Sequence, residues 1–133
     1  MRPMRFEEFA VELATKDPVA GKATKIKESG ESKYPYGLSV ALNGREARFQ
    51  FIAQSADGDR FDQPERPVEG DVANLEGPRA DGPEGWLAGL LASSGSREIE
   101  SIEQWSLREN PADRRNGLTV FFYSGAKIYA RAL

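Results

Sequence analysis

The start of the chain has the apolar spacing of an amphipathic helix. Apolar residues recur every three or four positions and glutamates fill the opposite side, in the sets Phe6, Phe9, Ala10, Leu13 and Glu7, Glu8, Glu12. Asp17 precedes a proline, and the residue before a proline is pushed out of the helical region. We therefore predict a first helix that ends before Pro18.

Strand patterns fill the rest of the first half. Lys22 to Lys27 is typical of a short polar strand, and its three lysines indicate an exposed sheet edge. Gly37 to Leu42 and Arg45 to Gln54 are rich in strand-forming residues. They enclose Asn43-Gly44, a pair that tolerates the positive φ angles of a tight turn. The pattern therefore predicts a hairpin over these two strands.

The last part of the chain repeats this plan. An apolar stripe around Trp86 predicts a second helix, which ends at Gly95. We predict a strand over Arg97 to Leu107, although its apolar spacing also allows the helix to resume after a break. A second hairpin with a Ser124-Gly125 turn closes the chain, with strands over Leu118 to Tyr123 and Lys127 to Ala132.

The segment between these parts has a different composition. Residues 57–85 hold four of the eight prolines and five of the thirteen glycines. They also hold nine acidic and three basic side chains, a local charge of −6 in a chain of net charge −3. Such a composition favours a long connecting loop. We expect its apolar residues to attach it to the core at a few points: Phe61, Val68, Val72 and Leu75.

These elements predict an α+β fold. Its antiparallel sheet has about six strands and carries two helices, in the order helix-β-β-β-loop-helix-β-β-β. We divide this one domain into a first half (1–55), an acidic loop (56–85) and a second half (86–133). Gly37 to Val40 aligns with Gly117 to Val120, which is consistent with an internal duplication. Two unrelated hairpins can also look alike over four residues, so both explanations stay open.

The composition excludes several kinds of chemistry. The chain has no histidine and no cysteine, so it cannot form a Ser-His-Asp or Cys-His site, a disulfide or a zinc site of the usual kind. The acidic run after Asp57 lacks the ligand spacing of a calcium-binding loop. Glu46 and Glu103 are the carboxylates most suited to acid/base work, but each is more typical of an exposed strand position. We predict no catalytic residue, no metal site and no cofactor.

The net charge and the hydropathy of the chain limit the cell compartment and the partner classes that we expect. The net charge of −3 makes nucleic acid an unfavourable partner, so none is predicted. No run approaches the roughly 20 apolar residues of a membrane span, and glutamates stand where a signal peptide needs apolar residues. We expect a cytoplasmic protein without membrane attachment. Abundant arginine, alanine and glycine suggest a bacterial genome rich in GC.

The aromatic residues supply the candidate binding site. Leu118 to Tyr123 is apolar at almost every position, so both faces of this strand need cover. One set of side chains can meet the helices, and the other needs a second layer, the acidic loop or another protein chain. Tyrosine and tryptophan favour interface centres. The binding residues that we predict are Tyr36, Trp105, Phe121, Phe122 and Tyr123.

The function that we expect is non-enzymatic protein binding through a sheet face or a sheet edge. The partner is another protein or a second copy of the chain, which would make a homodimer. The size, charge and architecture suit an adaptor, a chaperone-like protein or an immunity-like protein of a bacterium or its mobile elements. The alternative is a small-molecule-binding protein or a carboxylate-based enzyme with a cavity between the sheet and the helices.

Overall fold

The computed structural model describes residues 1–75 and 77–133. The first half runs from helix α1 through three strands: α1 (Pro3–Lys16), β1 (Ala20–Lys25), β2 (Gly37–Leu42) and β3 (Arg45–Gln54). The second half repeats this order: α2 (Gly82–Ala92), β4 (Ile99–Gln104), β5 (Gly117–Phe122) and β6 (Lys127–Ala132). Short 3-10 turns follow the first strand of each half, at Ile26–Ser29 and Trp105–Leu107.

The six strands form one antiparallel sheet in the order β1-β2-β3-β6-β5-β4. Both helices pack on the same face, with α1 over the strands of the first half and α2 over β4 and β5. Phe6 of α1 lies at the centre of this layer, and its ring meets Phe51 and Phe122 edge-on at 4.9 and 6.1 Å. Alternate strand residues fill the core beneath the helices, among them Leu38, Phe49, Leu118 and Ile128.

The two halves match in strand register as well as in element order. In the central ladder, Phe49 pairs with Ala132 and Phe51 pairs with Ala130, on either side of the Gln50 and Arg131 pair. Each edge strand has a register shift near its start, between Ala20 and Ala23 in β1 and between Ile99 and Ser101 in β4. The sheet is therefore approximately two-fold symmetric about the Gln50 and Arg131 pair.

A buried glutamate joins each helix to the first residue of its hairpin. Glu7 accepts a hydrogen bond from the backbone N–H of Gly37 (2.9 Å), and Glu84 accepts one from the N–H of Gly117 (3.0 Å). Glu84 also accepts bonds from the N–H and the hydroxyl of Ser106, at 3.0 and 2.7 Å. Both carboxylates are almost fully buried, so these backbone bonds replace the water that each would otherwise bind.

The α+β class, the two helices and the six-stranded antiparallel sheet confirm the sequence prediction, and both hairpins form as expected. Two edge strands are shorter or shifted. The predicted strand from Lys22 begins at Ala20 and ends at Lys25, because Ile26 starts a 3-10 turn in which its fully buried side chain packs on Gly37. The predicted strand to Leu107 ends at Gln104, because Trp105 starts a 3-10 turn that Glu84 holds.

Glu84→Ala should lower the free energy of unfolding by about 3 kcal/mol, because it leaves buried donors of Gly117 and Ser106 without an acceptor. Denaturant unfolding measures the change. Glu12→Ala is the matched control: Glu12 is an exposed helix residue paired with Lys16, and its loss should cost under about 0.5 kcal/mol. Equal losses in the two variants would contradict the role of Glu84.

Candidate functional site

Among the described residues no helix or second sheet covers the face of the sheet opposite the helices, and only the turns after β1 and β4 pack on it, at Gly37 and Gly117. We call this face the outer face. Four of its side chains form an apolar patch that extends from β3 across β6 and β5 to the turn after β4, namely Ile52, Tyr129, Phe121 and Trp105. Ile52 pairs across strands with Tyr129, and Tyr129 pairs with Thr119, so these residues make one continuous row. Ile52 is 44% exposed, and the three aromatic side chains are half-buried.

Trp105 lies at one end of this row. Its indole Nε1–H donates to the Thr119 hydroxyl at 2.8 Å, which places the ring on the outer face. A side chain at Gly117 would overlap the indole ring, so the glycine lets the ring lie directly against β5. The Arg108 guanidinium lies 5.3 Å from the centre of the ring. The indole is therefore held between a strand and a cation.

Phe121 and Tyr129 form the middle of the patch. Phe121 pairs with Lys127 across β5 and β6, and the Lys127 ammonium lies 5.4 Å from the centre of the Phe121 ring. The Tyr129 hydroxyl donates to Gln54 Oε1 at 2.7 Å. These contacts fix both rings in place while leaving part of each exposed. A rigid aromatic surface loses little conformational entropy when it is covered.

The structure separates the five predicted binding residues. Trp105 and Phe121 lie on the outer face, whereas Phe122 lies in the core against Phe6. Tyr123 follows β5, lies over Gly70 and donates its hydroxyl proton to the Asp71 carbonyl at 2.8 Å. Tyr36 is half-buried against the core beside β2. The predicted residues therefore do not form one surface.

Sequence reasoning missed Ile52 and Tyr129. Both stand next to inward-facing residues, and strict alternation along β3 and β6 would have placed them on the outer face. They were overlooked because the pairing of β3 with β6 joins distant parts of the chain. Only that pairing brings Ile52 beside Tyr129, on the same face of the sheet as Phe121 and Trp105.

The other half of the outer face is polar. Arg48 lies 3.7 Å from carboxylate oxygens of both Glu31 and Glu46, and the Ser39 hydroxyl donates to Glu46 at 2.9 Å. Glu46 and Glu103, the two carboxylates considered for acid/base work, are exposed and lie beside arginines. Neither lies in the apolar pocket that would prepare it for proton transfer.

Both edges of the sheet are obstructed. β1 has a register shift and two lysines, and these features oppose pairing with another strand. Beside β4 the acidic loop runs past Arg97: Gly70 N–H donates to the Arg97 carbonyl at 2.8 Å, and Arg97 Nε donates back at 3.1 Å. Gln104 binds the same loop further along, accepting from the N–H of Ala80 at 2.8 Å.

A cleft of about 390 Å³ opens at the end of the sheet. Its walls come from the start of α1, the end of β3, the loop through Val68 and the turn between β5 and β6. It therefore lies beyond the end of the sheet, and not between the sheet and the helices. Its size is within the range of small-molecule sites, but arginines and carboxylates that already bind each other line or border it.

These ion pairs attach the acidic loop to α1. Arg2 binds Asp59, with Nη2 at 2.8 Å from the carboxylate, and Arg5 binds both Glu65 and Glu98. The hydrogen bond from Arg2 lowers the pKa of Asp59 below its usual range. Burial alone would raise the pKa of Glu65, but hydrogen bonds from Arg5 and from the N–H of Arg2 outweigh it, and the net pKa is lowered.

Most of the apolar residues that we expected to attach the acidic loop to the core do not do so. Phe61, Val68 and Val72 are 67%, 46% and 45% exposed, so only Leu75 of the four expected apolar anchors packs against the core. Phe61 has a cation–π contact, since the Arg2 guanidinium lies 5.2 Å from the centre of its ring. The composition of the segment predicted a loop. The arginines that hold it, Arg2 and Arg5, lie at the start of α1, far away in the sequence.

No group of three or more side chains of the metal-ligating types comes together in the part of the chain that the structure describes. The described helices are also too short or too polar to cross a membrane.

Arg5→Met should release the acidic loop, because it removes the partner of Glu65 and Glu98. We expect trypsin to cut after Arg60 about tenfold faster, since cleavage follows the population of the open loop. Arg45→Met, which alters an exposed arginine beside the first hairpin turn, is the control and should leave the rate unchanged. Equal cleavage of both variants would show that Arg5 does not hold the loop.

Acid should release the same loop. Because the folded-state pKa values of Asp59 and Glu65 are lowered, their contribution is complete at neutral pH. It declines as the pH falls below about 4, the ordinary carboxyl range, and is lost once the pH passes below the folded values. Carboxyl ¹³C shifts across a pH titration measure both pKa values. In Arg5→Met the pKa of Glu65 should rise, and no change there would contradict the pairing.

No family model matches this chain, and no curated protein or solved structure matches it either.

Proposed function

We propose that this protein is a non-enzymatic protein-binding module that acts through the outer face of its sheet. The observation that carries the proposal is the apolar patch of Ile52, Trp105, Phe121 and Tyr129, set on a sheet face without a covering layer among the described residues. Aromatic residues that are fixed in place and partly exposed are typical of interface centres.

The face supports this proposal better than the edges do. An incoming strand would meet the register shift and lysines of β1, or the register shift of β4 and the loop that binds Gln104. The outer face presents no such barrier at the patch. Charged residues surround it, among them Arg108 and Glu103, and a polar rim around an apolar centre is the usual arrangement of a specific interface.

The alternative, a small-molecule site or a carboxylate-based enzyme, has weaker support. The space between sheet and helices is filled by large side chains such as Phe6, Phe49 and Leu87, which are fully buried. The cleft at the end of the sheet is lined or bordered by charges that pair with one another. We further propose, on composition and size, a bacterial and cytoplasmic adaptor, chaperone-like or immunity-like protein, whose partner is another protein or a second copy in a homodimer.

Ile52→Glu should abolish binding by the outer face with little change in stability, because it puts a charge into the apolar patch, beside Tyr129, on a residue that is 44% exposed. Two measurements test this. Light scattering over a dilution series detects a second copy. A random peptide library displayed on phage, selected on the wild type, detects other polypeptide ligands.

Met4→Glu is the matched control, since Met4 is 59% exposed and lies on α1, on the other side of the sheet. We expect Met4→Glu to self-associate as the wild type does and to bind each selected peptide with the affinity of the wild type. Thermal unfolding confirms that both variants fold. The proposal fails if the wild type is monomeric throughout and every selected peptide binds Ile52→Glu as tightly as it binds the wild type.

A further inference from the structure

Two cations flank the apolar patch on one strand. Lys127, Tyr129 and Arg131 are alternate residues of β6, and all three point to the outer face because Ile128 and Ala130 between them are buried. Arg48 and Arg108, the other nearby cations, each lie beside a glutamate. Among the residues that the structure describes, no carboxylate lies within 4 Å of Lys127 or Arg131.

We propose that the partner of the outer face is an acidic polypeptide segment, lying extended along β6. Its carboxylates pair with Lys127 and Arg131, and an apolar side chain between them packs on Tyr129 and Ile52. This inference rests on the proposed function and adds the chemistry of the partner. Lys127 and Arg131 have no carboxylate partner within 4 Å among the described residues, and charge complementarity sets which partners an interface accepts.

The spacing of the cations defines the segment further. Lys127 and Arg131 are four residues apart, about 13 Å along a strand that rises about 3.3 Å per residue. In an extended partner the matching acidic side chains are also four residues apart, with the apolar residue midway and on the same side. The pattern is acidic, any, apolar, any, acidic.

A second copy of this chain fits the face less well. In the aligned arrangement, sheets that stack face to face keep their strands within about 30° of each other. If β6 stacked on its own copy in either direction, Lys127 would face the other Lys127 or the other Arg131, and Arg131 would likewise face a cation. Such an interface places like charges together around its apolar centre, which costs binding energy.

A single-stranded nucleic acid also fits less well. Bases bind such proteins by stacking on exposed rings. Trp105 has Gly117 on one side and the Arg108 guanidinium near its ring, so it offers little surface for stacking. Glu103 lies beside Arg108, on the strand next to Thr119. The two available cations would replace few of the phosphate contacts that binding usually needs.

The phage selection tests the inference separately from the function. We expect peptides that bind the wild type but not Ile52→Glu to be enriched in Asp and Glu, four positions apart around an apolar residue. Their affinity should fall about tenfold or more in Lys127→Glu/Arg131→Glu, and raised salt should weaken it. Arg45→Glu, a charge reversal away from the patch, should leave it unchanged. If the double glutamate variant fails to fold, Lys127→Gln/Arg131→Gln replaces it.

The other outcomes overturn the inference in distinguishable ways. Patch-dependent peptides without acidic enrichment, or insensitive to both charge variants, refute the acidic partner and leave the proposed function standing. A dimer that Ile52→Glu dissociates identifies a second copy as the occupant. Binding of a twelve-nucleotide oligo-dT that both Ile52→Glu and the charge variants abolish, without any patch-dependent peptide, identifies nucleic acid. If the wild type is monomeric and neither probe depends on Ile52, the inference and the function fail together.

Discussion

The antiparallel pairing of β3 with β6 is the contact on which the whole structure depends. It joins the two halves into one sheet, with the Gln50 and Arg131 pair near its symmetry axis. Each half alone would have an unpaired strand edge at this position. Once paired, the halves form one core in which Phe6 contacts both Phe51 and Phe122. The same pairing brings Ile52 beside Tyr129 and so creates the apolar patch.

Charged groups stabilise this fold in two different ways. Glu7 and Glu84 are buried, and each accepts a hydrogen bond from the backbone N–H at the start of a hairpin. Without that acceptor the buried N–H would have no partner, which would lower the free energy of unfolding. Arg2 and Arg5 are partly exposed and hold a loop whose apolar residues mostly face water. The buried glutamates stabilise the fold through their hydrogen bonds to buried backbone donors. The ion pairs of the two arginines are sensitive to acid, because their carboxylates can be protonated without disturbing the core.

The two faces of the sheet explain why the residues of the apolar patch were only partly predictable. The apolar run from Leu118 to Tyr123 indicated apolar side chains on both faces of β5, and whether the outer face needs cover stays a prediction. Because successive side chains of a strand point to opposite faces, Phe122 lies in the core and Phe121 lies on the outer face. Trp105 joins the patch because a turn held by Glu84 places it over Gly117. Neither the turn nor the contact has a local signal in the sequence.

The local pattern of the sequence by itself determined the two helices, both hairpins and the connecting loop. Those features depend on neighbouring residues: helical spacing, the Asn43-Gly44 turn and the density of proline, glycine and charge. Only the tertiary structure decided the order of the strands, the partners of Arg2 and Arg5, and the outer-face patch. The reason is physical, since each of these depends on contacts between residues far apart in the chain. Such contacts are selected by the packing of the complete core rather than by local preference.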